Sequence, residues 1–248
     1  MREQHGGPSQ PFETGVGAFK NEARNLNSTF SVRPLLGLVE WFRPGEHQRV
    51  ESLLIDLEAL GVTELRTGVS WADWHTLVGQ EWYRWLLPRL AQSVNLLPCF
   101  HYTPPSLGIQ PKTSAPPRHP KAYADFLDGM ITEFGDYFEW VELWNEPNNL
   151  ADWDWRLDPD WQIFCEMIGA AAYWSQQRGK KTVLAGMAPI DFNWLRLIAR
   201  RGILAHIDAV GIHGFPGTWE FDAQEWVANV AQVRAVMAEH GSAAQVWI

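Results

Sequence analysis

From residue 35 to the end of the chain, short apolar runs alternate with longer amphipathic stretches. The runs at 35–41, 63–70, 95–102, 139–145, 182–187, 207–213 and 245–248 have the length and content of buried strands. The stretches at 46–60, 81–92, 121–137, 160–178, 192–200 and 223–240 read as helices. In the first of these, Val50, Leu53, Leu54, Leu57 and Leu60 repeat at helical spacing until Gly61 stops the helix. Strands that alternate with helices of this length imply βαβ units and a parallel sheet, because a parallel neighbour is reached only through a crossover. Six units and a seventh strand are too many for most doubly wound sheets of this size. They are also too few for a closed barrel of eight.

The composition narrows the function. The 248-residue chain is 46% hydrophobic and 20% charged, enough apolar material for a large core. A net charge of −9 argues against nucleic acid and against an anionic membrane as partners. No apolar run has the length of a membrane span, and residues 1–27 hold no apolar segment of a secretory signal, so a cytoplasmic protein is expected. Cys99 and Cys165 sit singly in apolar surroundings and read as packing thiols. No Gly-rich phosphate loop follows a strand, and neither a cofactor nor a metal is expected. Fifteen tryptophans are unusual. Sugars offer flat C–H faces that stack on aromatic rings, and about half of Trp71, Trp74, Trp144, Trp153, Trp155 and Trp219 are expected in such a role.

The most informative run is Trp140-Val141-Glu142-Leu143-Trp144-Asn145-Glu146-Pro147-Asn148. An apolar strand passes directly into an amide, a carboxylate and a proline, so Asn145 and Glu146 stand where the strand ends. In a parallel barrel that end is the face on which active sites are built. A carboxylate between a tryptophan and a proline is expected to be partly desolvated, which raises its pKa and suits it to donate a proton. Cleavage of a glycosidic bond requires such a donor.

This run resembles the Trp-Asn-Glu-Pro signature of the clan A glycoside hydrolases. With residues 208–213 downstream it is most similar to the family 39 β-xylosidases and α-L-iduronidases. The resemblance covers about residues 33–248 and implies a (β/α)8 TIM barrel that is incomplete, with strands 1–7 in residues 31–248 and the C-terminal unit missing. Residues 1–30 then form an irregular N-terminal extension. It implies a retaining hydrolase of O-glycosidic bonds that takes an oligosaccharide or glycoside. Glu146 would be the general acid/base and Asn145 the partner of the sugar's 2-hydroxyl; Trp144 and Trp71, from their places at strand ends rather than from the resemblance, are expected in the sugar site. Arg66, inside an otherwise apolar strand, needs an anion. In the clan that anion is the nucleophile; a structural acid would serve equally well. His213, at the end of strand 6, would touch the nucleophile or the substrate; His101, at the end of strand 3, reads either as a contact to a sugar hydroxyl or as a core histidine, and of the two His213 is favoured. The clan's nucleophile is a second Glu after strand 7, where this chain reads Gln245-Val246-Trp247-Ile248. That Glu is expected just beyond Ile248, so the 248-residue chain alone is expected to be inactive and poorly stable. Asp191, Glu220 and Asp222 are post-strand acids that read better as caps of the next helix.

Two other functions fit the same residues. A carbohydrate-binding barrel without catalysis would keep the aromatic and hydroxyl contacts and need no second carboxylate. A metal-dependent barrel isomerase would instead use Glu146, His101 and His213 as ligands.

Overall fold

All seven apolar runs form strands in the computed structural model, which describes residues 36–248. The strands are β1 (Gly37–Val39), β2 (Glu64–Ser70), β3 (Asn95–His101), β4 (Trp140–Leu143), β5 (Lys181–Met187), β6 (Ala209–Ile212) and β7 (Gln245–Trp247). They pair in sequence order, every pair parallel, in one curled sheet. The helices between them are α1 (His47–Leu60), α2 (Trp71–Trp74), α3 (Leu77–Ala91), α4 (Lys121–Phe134), α5 (Gln162–Gln177), α6 (Phe192–Ala199) and α7 (Trp226–Glu239). This is an incomplete (β/α)8 barrel. Among the described residues β1 bonds only to β2 and β7 only to β6, so the sheet stays open. The expected extension over residues 1–30 lies outside the described residues.

Local chemistry explains where the boundaries move. Gly61 ends α1 in the left-handed conformation, at φ +67°, as its position suggested. Helix α3 starts at Leu77, four residues before its expected start at 81. Thr76 caps it, accepting from the Gly79 backbone N–H at 3.0 Å. The short α2 was not legible as a helix; Ser70 Oγ caps it by accepting from Asp73 N. Asp191 caps α6, accepting from Asn193 N and Trp194 N, as expected of that acid. At α5 the N-cap residue is Trp161, and Asp158, three residues before it, accepts from Ile163 N and Phe164 N in the first turn.

Large aromatic side chains fill the core. Trp144, Trp153, Tyr83, Tyr123, Phe100 and Phe164 are fully buried. Two buried tyrosines satisfy their hydroxyls on the sheet. Tyr83 accepts from Ser70 N at 2.8 Å, and Tyr123 donates to the Phe100 carbonyl at 2.7 Å. Both bonds fall near the C-terminal ends of β2 and β3, and they brace the rim on which the site stands.

Candidate functional site

A cleft of about 580 Å³ opens at the C-terminal ends of the strands. Its walls include Trp41 after β1, Arg66 of β2, Tyr102 after β3, Asn145, Glu146 and Asp152 after β4, His213 after β6 and Ile248 after β7. This is the face where a barrel carries its chemistry. Four of the seven expected site residues meet there: Glu146, Asn145, Arg66 and His213.

The rim is strained. Tyr102, Trp144 and Glu146 hold φ values of +66°, +78° and +35°. Side chains rarely adopt this region, and each such residue costs about 1–3 kcal/mol. Packing holds the conformations in place. The buried Cys99 thiol donates to the Trp144 carbonyl at 3.2 Å, and Trp144 Nε1 donates to the Asp152 carbonyl at 3.0 Å. Trp144 therefore fixes the loop that returns Asp152 to the cleft.

Arg66 finds its anion within the sheet. Its Nε and Nη2 donate to the two oxygens of Glu142 at 2.6 and 3.0 Å, and Nη2 also reaches Asn145 Oδ1 at 2.8 Å. Glu142 is only 2% exposed. Side chains in one layer of a barrel come from alternate strands, which explains why β2 and β4 pair here. A guanidinium can only donate, so it sets which end of the Asn145 amide faces it. The other end, Nδ2, then donates to Asp152 Oδ1 at 3.1 Å. The result is a continuous polar chain, Glu142–Arg66–Asn145–Asp152.

Glu146 is half-buried. Its Oε1 lies 3.0 Å from His213 Nδ1, and its Oε2 lies 3.5 Å from Asn149 Nδ2. Burial is the largest influence and pushes its carboxyl up. The hydrogen bond and charge of His213, the Asn149 bond and Arg66 together outweigh burial, and the net shift is downward. The upward shift expected from a tryptophan and a proline alone is thus reversed by a histidine 67 residues away. The second ring nitrogen, Nε2, is 3.9 Å from Glu142 Oε1, so His213 spans both carboxylates. Gly186 in β5 makes room for that ring, since a Cβ there would come within 2.1 Å of Nε2.

The remaining expected contacts lie elsewhere. Trp71 and Trp144 are core residues; neither lines the cleft, and a buried indole has no face to offer a sugar. Trp153 is equally buried, Trp155 borders a separate depression and Trp219 stands 82% exposed. The tryptophan that does line the cleft is Trp41. It stacks over the Arg66 guanidinium at 5.3 Å, and Gly68 leaves space for its ring. His101 is buried edge-on to Trp41, with ring centroids 4.7 Å apart. Burial, with the Arg66 charge second, lowers its pKa to about 3, which keeps it neutral. It does not join Glu146 and His213. Among the described residues no three His, Cys, Asp or Glu side chains converge as a metal cage. Glu220 Oε2 accepts from Phe215 N at 3.2 Å within its own loop. No described helix is long and apolar enough to cross a membrane.

Asp152 was the residue missed. Its only sequence signal is its place directly before Trp153 and Trp155, in the segment that follows the Asn145-Glu146 strand end. It is 6% exposed, and burial raises its carboxyl to about 6, with the Glu146 charge adding to the rise.

No family model and no curated protein matches this sequence. Solved structures do match the fold. The catalytic domain of the GH30 xylanase C from Talaromyces cellulolyticus aligns at a TM-score of 0.51 and 13% identity. The alignment covers 85% of this chain and 66% of that one. The GH20 β-N-acetylhexosaminidase from Streptomyces coelicolor A3(2) aligns at 0.50 and 13%, covering 86% of this chain and 47% of that one. A D-psicose 3-epimerase from Clostridium cellulolyticum H10 overlays at 0.42 and 11%, covering 85% and 83%. The chain thus spans about two thirds and about half the length of the two glycosidases, and the likeness is one of fold.

Proposed function

We propose that this chain is the barrel of a retaining glycoside hydrolase, with Glu146 as general acid/base on an oligosaccharide or glycoside. The observation that carries this reading is the position of Glu146. It stands at the C-terminal rim of β4, inside the cleft, oriented by His213 and flanked by an Asn145 amide clamped at both ends. The two glycosidases that share the fold support it, and so does the run Trp144 to Pro147.

In this mechanism Glu146 protonates the leaving oxygen while a second carboxylate attacks the anomeric carbon. Glu146 then takes a proton from the water that releases the glycosyl group. The second carboxylate is assigned to the position following β7, whose Ile248 already lines the cleft. A carboxylate about 5–5.5 Å from Glu146 would, by like-charge repulsion, raise its pKa toward the range a proton donor needs. Asn145 Nδ2 has a second hydrogen, beyond the one given to Asp152, for a sugar hydroxyl. Trp41 offers the aromatic surface. The finer assignment to family 39 rests on the Trp-Asn-Glu-Pro-Asn run and residues 208–213.

A carbohydrate-binding barrel without catalysis is the second reading, favoured by the pairing with His213 that holds Glu146 ionised. Kinetics on aryl glycosides separate the two, measured on this chain and, where the gene continues, on its longer product. A Glu within the first three residues after Ile248, together with turnover abolished by its replacement, supports the hydrolase. Tight sugar binding without turnover in the longer product leaves only the binder.

A further inference from the structure

The cleft holds a second carboxyl group that this mechanism leaves without a role. Asp152 Oδ1 accepts from Asn145 Nδ2, and among the described residues Oδ2 has no hydrogen-bond partner. The side chain is 6% exposed, yet it borders the cleft, so the unpartnered oxygen can only be answered from there. Among the described residues no cation bonds to it. Arg66 donates instead to Glu142, Asn145 Oδ1 and Cys99. The charged and titratable groups facing Asp152 are Arg66 from β2, Cys99 from β3, Tyr102 after β3, Glu146 after β4 and His213 after β6.

A protonated carboxyl both donates and accepts, which matches a sugar hydroxyl, whereas a carboxylate only accepts. A bound sugar also excludes water. Desolvation then disfavours the charged form of a group already buried beside the Glu146 carboxylate. We propose that Asp152 binds a substrate hydroxyl in its protonated form, so that a neutral sugar enters the cleft together with a proton. This rests on the cleft being a carbohydrate site and not on hydrolysis at Glu146. Because the carboxyl of the free protein is raised to about 6, the coupling falls between pH 5 and pH 8. Binding strengthens as pH falls through that value and weakens as pH rises above it.

The test is titration calorimetry between pH 5 and pH 8 in buffers of different ionisation heat. The probes are the methyl 1-thio-β-D-glycosides of xylose, glucose and N-acetylglucosamine, which are neutral and resist hydrolysis. For a one-unit rise of the Asp152 carboxyl on binding, affinity falls about tenfold from pH 5 to pH 8, with net proton uptake near pH 7. Asp152→Asn removes both the uptake and the pH dependence. Glu146→Gln, which deletes the neighbouring charge, moves the dependence to lower pH without abolishing it. Binding with the same affinity at every pH, or uptake unchanged in Asp152→Asn, overturns the proposal alone. Absence of binding by all three probes overturns it together with the carbohydrate reading. Proton-coupled binding without turnover in the longer gene product leaves it standing and removes only the hydrolase assignment.

Discussion

His213 Nδ1 and Glu146 Oε1 lie 3.0 Å apart, joining the rim of β6 to the rim of β4 across 67 residues of sequence. The contact fixes the direction of the one carboxylate to which a reaction is assigned. It also pulls that carboxylate's pKa down against the effect of burial. Without it, burial is the largest remaining influence on Glu146 and acts upward. His213→Ala is therefore expected to raise the Glu146 pKa, and a carbon-detected NMR titration of the Glu carboxyls reads this directly. An unmoved Glu146 resonance would show that the pairing does not control its charge.

Gly186 offers a second route to the same contact. A methyl at this position meets the His213 ring at 2.1–2.7 Å, and the ring is the part that can move. Gly186→Ala is expected to shift His213 off Glu146 and to raise the Glu146 pKa in the same direction as His213→Ala. The His213 ring signals in a proton–nitrogen spectrum check it. Ring shifts identical to those of the native protein would contradict the packing described.

The Arg66–Glu142 pair is buried, and its halves differ from the whole. Arg66→Met leaves Glu142 ionisable with, among the described residues, only His213 Nε2 beside it at 3.9 Å, at a cost of about 3–5 kcal/mol. Glu142→Leu added to Arg66→Met removes the stranded charge and should recover most of that loss. Urea unfolding of the single and double variants measures both. A double variant as unstable as Arg66→Met would place the loss in packing rather than in charge.

Asp152 makes stability depend on pH in an uncommon direction. Its carboxyl rises from 3.8 to about 6 on folding, so the folded protein holds this proton more tightly than the unfolded chain does. That contribution is complete below about pH 4 and is lost as pH rises through about 6. Asp152→Asn should therefore stabilise the protein at pH 8, on the order of 2 kcal/mol, and change little at pH 4. Glu146, shifted downward, contributes with the opposite sign: its share is present above the ordinary carboxylate range and lost as pH falls below it. Thermal melts of the native protein and Asp152→Asn at the two pH values separate the effects. Equal melting shifts at both would contradict the raised carboxyl.

Much of the barrel was legible because strand and helix periodicities are local properties. Burial was less so. Six tryptophans near strand ends looked alike in sequence, yet Trp144 and Trp153 turned into the core while Trp219 faced water. Trp41 reached the cleft because Gly68, on the neighbouring strand, clears space for its ring. Glu142 could have been found by the reasoning applied to Arg66, since both are charges inside apolar strands two apart in the sheet. Asp152 could not. Its raised carboxyl depends on a loop folded back by the Trp144 indole, and no spacing records that.

The most direct measurement is the hydrolysis of two glycosides by Glu146→Gln and by the unaltered protein, in the full product of the gene. One substrate carries a sugar or alkyl leaving group that must be protonated, the other a dinitrophenyl group that need not be. The expected result is a loss of about 10²- to 10⁴-fold on the first and a far smaller loss on the second. Equal losses on both would contradict proton donation by Glu146.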